Sequence, residues 1–241
     1  MQIEGKNQAR EALRSGKTID KIIALRDSQD KELSSIVKTA LDKKIKVNFV
    51  AKSVLDKESV TGKHQGVIAY TTDFVYSELA ELFENGGKPN FLLVLDGVED
   101  PHNLGSILRV AECAGVDGVI IGKHRSASVN ETVVRVSAGA SEHVKVARVT
   151  NVNYAIEYLK DKGVWVYAAD MDGAPMYDTD FTGPCAIVIG SEGFGIHKVT
   201  KDLCDGVVTI PMFGQVNSLN ASVATGVVAF EVVRQRVKKN G

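Results

Sequence analysis

Apolar positions along the chain recur with two periods, and the switching between them lays out the elements. In the first third, residues 8–15 carry a helical pattern and 19–25 a strand pattern. Leu33, Ile36, Val37, Ala40 and Leu41 recur at helical spacing; 45–50 reads as a second strand, 54–56 as a short helix and 66–70 as a third strand. This predicts a small layered α/β domain over residues 1–72. Residues 73–90 join a predicted amphipathic helix, 76–83, to the breaker Glu84-Asn85-Gly86-Gly87-Lys88-Pro89, and read as a linker. From 91 to 241 the pattern changes. Phe91-Leu92-Leu93-Val94-Leu95 is a continuous apolar run of the kind that fills a buried parallel strand. Further strand patterns at 118–121, 164–168, 185–189 and 207–210 have helical patterns between most of them, which predicts an α/β fold with a doubly wound, mostly parallel sheet. In the last helix Leu219, Val223, Val227, Phe230 and Val237 mark the apolar face.

Composition narrows this picture. With 44% hydrophobic and 24% charged residues among 241, the chain suits one large globular domain or two small ones. No apolar run approaches the roughly 20 residues that span a bilayer. The start, Met1-Gln2-Ile3-Glu4-Gly5-Lys6, lacks the apolar core of a signal peptide, so a cytoplasmic location is expected. The net charge of −1 hides an asymmetry: residues 1–72 carry +5 and the remainder −6. A basic first third points to a part that meets a polyanion, although lysines that only solvate helix faces give the same count. Cys113, Cys185 and Cys204 are odd in number and lack C-x-x-C spacing, which predicts buried free thiols and no metal site.

In open parallel sheets ligands sit beyond the carboxyl ends of the strands, so the loops there are the candidates for chemistry. After the Phe91 strand comes Asp96-Gly97-Val98-Glu99-Asp100-Pro101-His102-Asn103-Leu104-Gly105-Ser106-Ile107-Leu108-Arg109, with Asn103 expected to cap a helix that carries Arg109. After the Cys185 strand comes Gly190-Ser191-Glu192-Gly193-Phe194-Gly195, where the glycines let a backbone approach a ligand closely. Neither dinucleotide nor Walker spacing is present there, and the Glu192 carboxylate opposes a pyrophosphate. After the Val207 strand comes Pro211-Met212-Phe213-Gly214-Gln215-Val216-Asn217-Ser218-Leu219-Asn220-Ala221-Ser222, with Ser218 and Asn220 beside the amides of a helix start. Taken singly, each loop also reads as a capped helix or a glycine-rich turn without a ligand.

Taken together, N-x-G-x-x-x-R, then G-S-E-G, then I-P-M…S-L-N-x-S, each after a buried strand, resemble the SpoU-type (TrmH-family) RNA 2′-O-ribose methyltransferases of the SPOUT superfamily. The resemblance covers nearly the whole chain. Gly62-Lys63-His64-Gln65-Gly66-Val67 and the basic first domain are similar to the bacterial branch that methylates a guanosine in 23S rRNA. Phe194 and Phe213 stand where relatives often carry smaller or polar residues. The resemblance implies a C-terminal SPOUT domain with a deep trefoil knot and an N-terminal RNA-binding domain of the ribosomal-protein L30e type. It implies S-adenosylmethionine held by the backbones around Gly190, Ile210 and Leu219, with Met212, Gly193, Ala168 and Ala169 nearby, and a homodimer that completes the site.

For the chemistry, the resemblance implies Arg109 with Asn103, Glu192, Ser218 and Asn220 around it. Residue chemistry alone selects His102 as base, since its ordinary pKa of about 6.5 suits neutral pH. A guanidinium stays protonated, so Arg109 is read as gripping an RNA phosphate and polarising the 2′-hydroxyl, with the proton acceptor unassigned. Structured RNA is the expected partner, rRNA ahead of tRNA, with no membrane and no metal. A catalytically silent RNA-binding protein and a nucleotide-dependent oxidoreductase remain as other classes, the latter disfavoured by the missing phosphate loop.

Overall fold

The computed structural model describes residues 2–14, 18–72, 74–84, 90–215 and 218–240. Expectations for Ser15, Asp73, residues 85–89, Val216 and Asn217 lie outside the described residues. Backbone contacts divide the chain into two compact units, Met1–Val75 and Tyr76–Gly241.

The first unit runs β1 (Gln2–Glu4), α1 (Lys6–Arg14), β2 (Thr18–Leu25), α2 (Lys31–Asp42), β3 (Lys46–Val50), α3 (Lys52–Glu58) and β4 (Val67–Thr72). Its sheet has the order β1-β4-β2-β3, with β4 antiparallel to both neighbours and β3 parallel to β2. One sheet face carries the main core. Leu33, Ile36 and Ala40 fall on one stripe of α2 and pack with Ala9, Ala12 and Leu13 of α1 against Ile22, Ala24, Val67 and Ala69. Leu55 of α3 packs with Ile23 and Ile68 in a second cluster. Helix α2 starts where Asp30 Oδ1 accepts the Glu32 and Leu33 amides at 2.9 and 3.0 Å.

Strand β1 escaped the sequence reading because three residues show no period. It carries Glu4, which is buried and accepts from Ser59 Oγ (2.6 Å), the Val60 amide (2.6 Å) and the Thr61 hydroxyl. The Ser59 and Thr61 hydroxyls, helped by the Val60 and Thr61 amides, hold its carboxyl down at about 2, against the opposing effect of burial.

The second unit runs β5 (Phe91–Asp96), α4 (Pro101–Cys113), β6 (Gly118–Gly122), α5 (Glu131–Val136), β7 (Val146–Val149), α6 (Val152–Asp161), β8 (Trp165–Pro175), β9 (Cys185–Gly190), α7 (Lys198–Leu203), β10 (Gly206–Thr209) and α8 (Ala221–Asn240). Its six strands are all parallel in the order β10-β8-β9-β5-β6-β7. Every residue of β5 is buried, as its continuous apolar run requires. No described helix is long and apolar enough to cross a membrane.

Several expectations need correction. Residues 76–83 do not form an amphipathic α-helix: a 3-10 turn, Leu79–Phe83, is all that is helical there. Ser77 instead bridges Ala147 of β7, and the Tyr76 hydroxyl accepts the Val129 amide at 2.9 Å. Leu82 is buried so closely against Gly118 that a Cβ there would lie 2.5 Å from its methyl. Strand β7 was missed because Arg148 interrupts its apolar run; the guanidinium lies 5.4 Å from the Tyr76 ring centroid. Cys113, expected to be buried, is exposed at the end of α4, whereas Cys185 is buried and Cys204 partly so.

The apolar face assigned to the last helix is also the wrong one. Val223, Phe230 and Val237 are exposed, and Leu219 before the helix is 39% exposed. The buried face holds the smaller Ala221, Thr225, Val228, Ala229 and Val232, which let α8 lie close to α4 and β9. Near its far end Arg236 donates to the carbonyls of Asn90, Phe181 and Gly183 at 3.0, 3.2 and 2.7 Å.

The Glu4 carboxylate gives a pH prediction for the 59–61 turn. Its folded pKa lies below its ordinary value near 4.5, so its stabilising effect is complete above that value and fades as pH falls toward 2. Hydrogen exchange at Val60 and Thr61, corrected for intrinsic rates, should speed up over that interval. Glu4→Gln should show the faster exchange already at neutral pH; slow, pH-independent exchange in that variant would contradict the assignment.

Candidate active site

Three connections at the carboxyl edge of the second unit's sheet meet through side chains. The first leaves β5 at Asp96, turns at Gly97 (φ +78°) and enters α4. Here the expected cap is corrected. Asp100, not Asn103, is the N-cap: its Oδ1 accepts the His102 amide at 2.9 Å, and Pro101 fills the first helical position. An acid placed just before proline is the better cap, and this leaves the Asn103 side chain free for another task.

Asn103 is 6% exposed, and its Nδ2 donates to Glu192 Oε1 at 3.0 Å. Asn220 Nδ2 donates to Asn103 Oδ1 at 2.9 Å and also to Glu192 Oε1. At its other end Asn220 Oδ1 accepts the Ser222 amide and hydroxyl (2.9 and 2.6 Å) and the Val223 amide (3.3 Å), so it caps α8 as expected. One residue from each loop thus joins a closed ring of hydrogen bonds. The middle loop is shaped by backbone: Ser191 and Gly195 exchange amide–carbonyl bonds of 3.0 Å each. A Cβ on Gly190 would lie 2.2 Å from the Gly195 carbonyl carbon, so only glycine permits this turn.

A cleft of about 480 Å³ opens beside the ring, lined by Asn103, Glu192, Gly193 and Phe194 together with Arg125 and His197. Neither Arg125 nor His197 was singled out from sequence. The buried Asp96 carboxylate accepts the His197 amide at 2.8 Å and lies 3.0 Å from its Nδ1, tying the end of β5 to the start of α7. An aspartate closing a buried strand was the available signal.

The other predicted residues fall in two groups. Ala168 and Ala169 pair with Val188 and Ile189 where β8 leaves β9, Gly190 ends β9 beside Asp96, and Ile210 follows β10 directly. Met212 and Leu219 are half-exposed on the loop between β10 and α8. Arg109 is not brought into the ring. Six residues beyond Asn103, it stands about 9 Å further along α4 and about 120° round it. It is exposed and without an ion pair among the described residues. Ser218 is exposed without a hydrogen bond among them, and His102 is exposed in the first turn of α4. Burial pushes the Cys185 and Cys204 thiols up to about 11 and about 12, so neither supplies a thiolate at neutral pH. No group of three or more metal-binding side chains is assembled among the described residues.

Comparison with known proteins supplies the family. Residues 90–230 match the model of the SpoU rRNA methylase family, and residues 2–77 match the model for RNA 2′-O ribose methyltransferase substrate binding. The chain belongs to the SpoU methylase family. It is an RNA methyltransferase by family. A protein of Staphylococcus haemolyticus assigned to the TrmH family of tRNA/rRNA methyltransferases is 44% identical over 238 residues, 97% of this chain and 95% of that one. Among solved structures, the AdoMet-bound rRNA methyltransferase of Sinorhizobium meliloti is 25% identical with a TM-score of 0.62, covering 97% of this chain and 86% of that one. The TrmH/SpoU tRNA-modifying enzyme of A. aeolicus is 27% identical with a TM-score of 0.58, covering 67% of this chain and 82% of that one. The α/β fold with a parallel sheet is that of SPOUT methyltransferases.

The ring makes Asn220 testable by two substitutions. Asn220→Ala removes the α8 cap and both bonds to the other loops, and should cost about 1–2 kcal/mol in urea unfolding. Asn220→Asp keeps the cap but sets a carboxylate against Glu192. It should unfold near the wild-type midpoint while hydrogen exchange across 190–195 accelerates. Wild-type exchange in both variants would show that the ring does not hold that loop.

Proposed function

We propose that this SpoU-family chain transfers a methyl group from S-adenosylmethionine to the ribose 2′-hydroxyl of a guanosine in 23S rRNA. The observation that carries the choice of rRNA is the first unit. The S. meliloti rRNA enzyme covers 97% of this chain, whereas the A. aeolicus tRNA enzyme covers 67%. The share left over is close to that of Met1–Val75. On this reading residues 1–72 bind RNA, 73–90 link, and 91–241 form the catalytic domain with its trefoil knot. The guanosine rests on the resemblance of Gly62-Lys63-His64-Gln65-Gly66-Val67.

Charge supports the division. Lys31, Lys38, Lys44, Lys46, Lys52, Lys57 and Lys63 have no ion-pair partner among the described residues. Lys43 is committed internally, to the Leu13 carbonyl. A unit of net +5 with this many free lysines suits a phosphate backbone. The remainder, residues 73–241 at −6, needs it.

For the cofactor, the residues fit. Open space lies where a Cβ would stand on Gly193 and on Gly214, so both loops offer bare backbone to a ligand. Gly190, Ile210 and Leu219 would hold it by backbone, with Met212, Gly193 and Ala169 beside the adenine and the fully buried Ala168 packed behind them. When bound, S-adenosylmethionine supplies an electrophilic methyl group on a cationic sulfur. Asn103, Glu192 and Asn220 fix the loops, and Ser218 adds a hydroxyl at the edge. Arg109 grips the RNA phosphate and polarises the 2′-hydroxyl, so catalysis is mostly alignment. Its exposure, outside the ring of its own chain, fits a homodimer in which a second copy completes the site. The exposed stripe Val223, Phe230 and Val237 of α8 offers apolar surface for that contact.

Two results are expected. Arg109→Lys should lose most turnover at unchanged S-adenosylmethionine affinity, because an ammonium does not reproduce the planar fork; near-normal turnover would remove Arg109 from the mechanism. A chain beginning near Asp73 should keep cofactor affinity by calorimetry but lose most methyl transfer to rRNA. Equal rRNA activity with and without the first unit, or a preference for tRNA by the full chain, would contradict the rRNA assignment.

A further inference from the structure

Phe194 is 94% exposed although it lines the cleft beside the Asn103–Glu192–Asn220 ring. Nothing in the fold requires a phenyl group there. It does not lie on a loose loop either: the paired bonds between Ser191 and Gly195 and the positive φ of Gly195 (+66°) fix the turn that carries it. A phenyl ring held rigidly in water over a functional cleft is apolar surface awaiting a cover.

The same cleft is lined by Arg125, which is exposed and without an ion pair among the described residues. Its backbone is held at φ +50°, and the next amide but one, Ala127 N, donates to the Val98 carbonyl at 2.8 Å. The loop bearing Arg125 is therefore pinned to the turn that follows β5, itself part of the cleft wall. In the same lining, Asp100 and Glu192 offer oxygen acceptors.

An aromatic face, a free guanidinium and carboxylate acceptors in one cleft are the parts that recognise an unstacked nucleotide: the base stacks, its N–H groups donate, and the phosphate pairs with the cation. S-adenosylmethionine offers Arg125 a carboxylate and not a phosphate, so cofactor affinity in the same variants separates the two occupants. Resting on the RNA methyl-transfer reading above, we infer that Phe194 and Arg125 form a nucleotide clamp that stacks and holds one unpaired base of the RNA substrate. They act as specificity residues, separate from the ring.

The test uses the full-length protein and deproteinised 23S rRNA from cells lacking it. Phe194→Ala should raise KM for the RNA about tenfold with kcat within about twofold, and Phe194→Trp should restore it. Arg125→Gln should weaken RNA binding and lower the slope of log affinity against log salt by about one. Cofactor affinity by calorimetry should not move in any of the three. An unchanged KM in Phe194→Ala overturns the clamp while leaving methyl transfer intact. Weakened cofactor binding at unchanged RNA affinity gives the phenyl to the cofactor, and a changed sedimentation coefficient gives it to a second copy; either overturns the clamp. A wild-type protein that transfers no methyl group sinks the functional reading instead, and filter-binding affinities of the same variants then still decide on the clamp.

Discussion

Glu192 is a carboxylate that accepts from two side-chain amides, Asn103 on α4 and Asn220 at the start of α8, and its position decides where three loops come to rest. Amide donors leave the carboxylate satisfied without neutralising it. Asn220 adds a direct bond to Asn103 and caps its own helix, so a shift in any one loop breaks bonds in the other two. The sheet beneath supplies the frame: β5 and β9 lie side by side with Asp96 opposite Gly190, which fixes the spacing of the first two loops. The ring is small in energy and large in consequence. It converts three strand-to-helix connections into a single wall.

Much of this was legible in the sequence. The strands at 91–95, 118–121 and 185–189 were recognisable because a strand buried on both faces must be apolar throughout. The ring residues were also named, through the resemblance that the three motifs carry together, but Asn103 was expected to cap α4, which Asp100 does. Caps are recognised by residue type, and Asp100 and Asn103 are both good caps. Only the packed structure shows which side chain turns inward. The face of α8 was misread for a related reason: the helix has large apolar residues on one side and small ones on the other, and close packing against α4 chose the small side. Short elements such as β1 and β7 leave no period to read. Arg125 and His197 carried no motif, and became visible only once the cleft that they line was described.

The two units differ in what their chemistry asks. The first is basic, with lysines left free and several of its carboxylates committed: Glu4 holds a turn, while Asp30 and Glu32 pair with Lys6 and Glu32 also with Arg10. Holding RNA calls for that arrangement. The second is acidic, and its cleft sets the carboxylates of Glu99, Asp100 and Glu192 beside the guanidinium of Arg125. A sulfonium donor and a neutral hydroxyl acceptor do not need a strongly basic surface, whereas the phosphates flanking the hydroxyl do. On the proposed function, polyanion binding falls to the first unit and alignment to the second, which accounts for the near-zero net charge of the whole chain.

The central claim is that this wall of three loops methylates a ribose in large-subunit rRNA. The most direct measurement is a map of 2′-O-methylation across total RNA from cells lacking the protein, supplied in turn with nothing, the wild-type chain or Glu192→Ala. The account predicts one ribose methyl group on a 23S guanosine that is present only with the wild-type chain, since alanine at 192 leaves the Asn103 and Asn220 amides without the oxygen that accepts both. A map that is identical in all three, or one in which only tRNA changes, would contradict it.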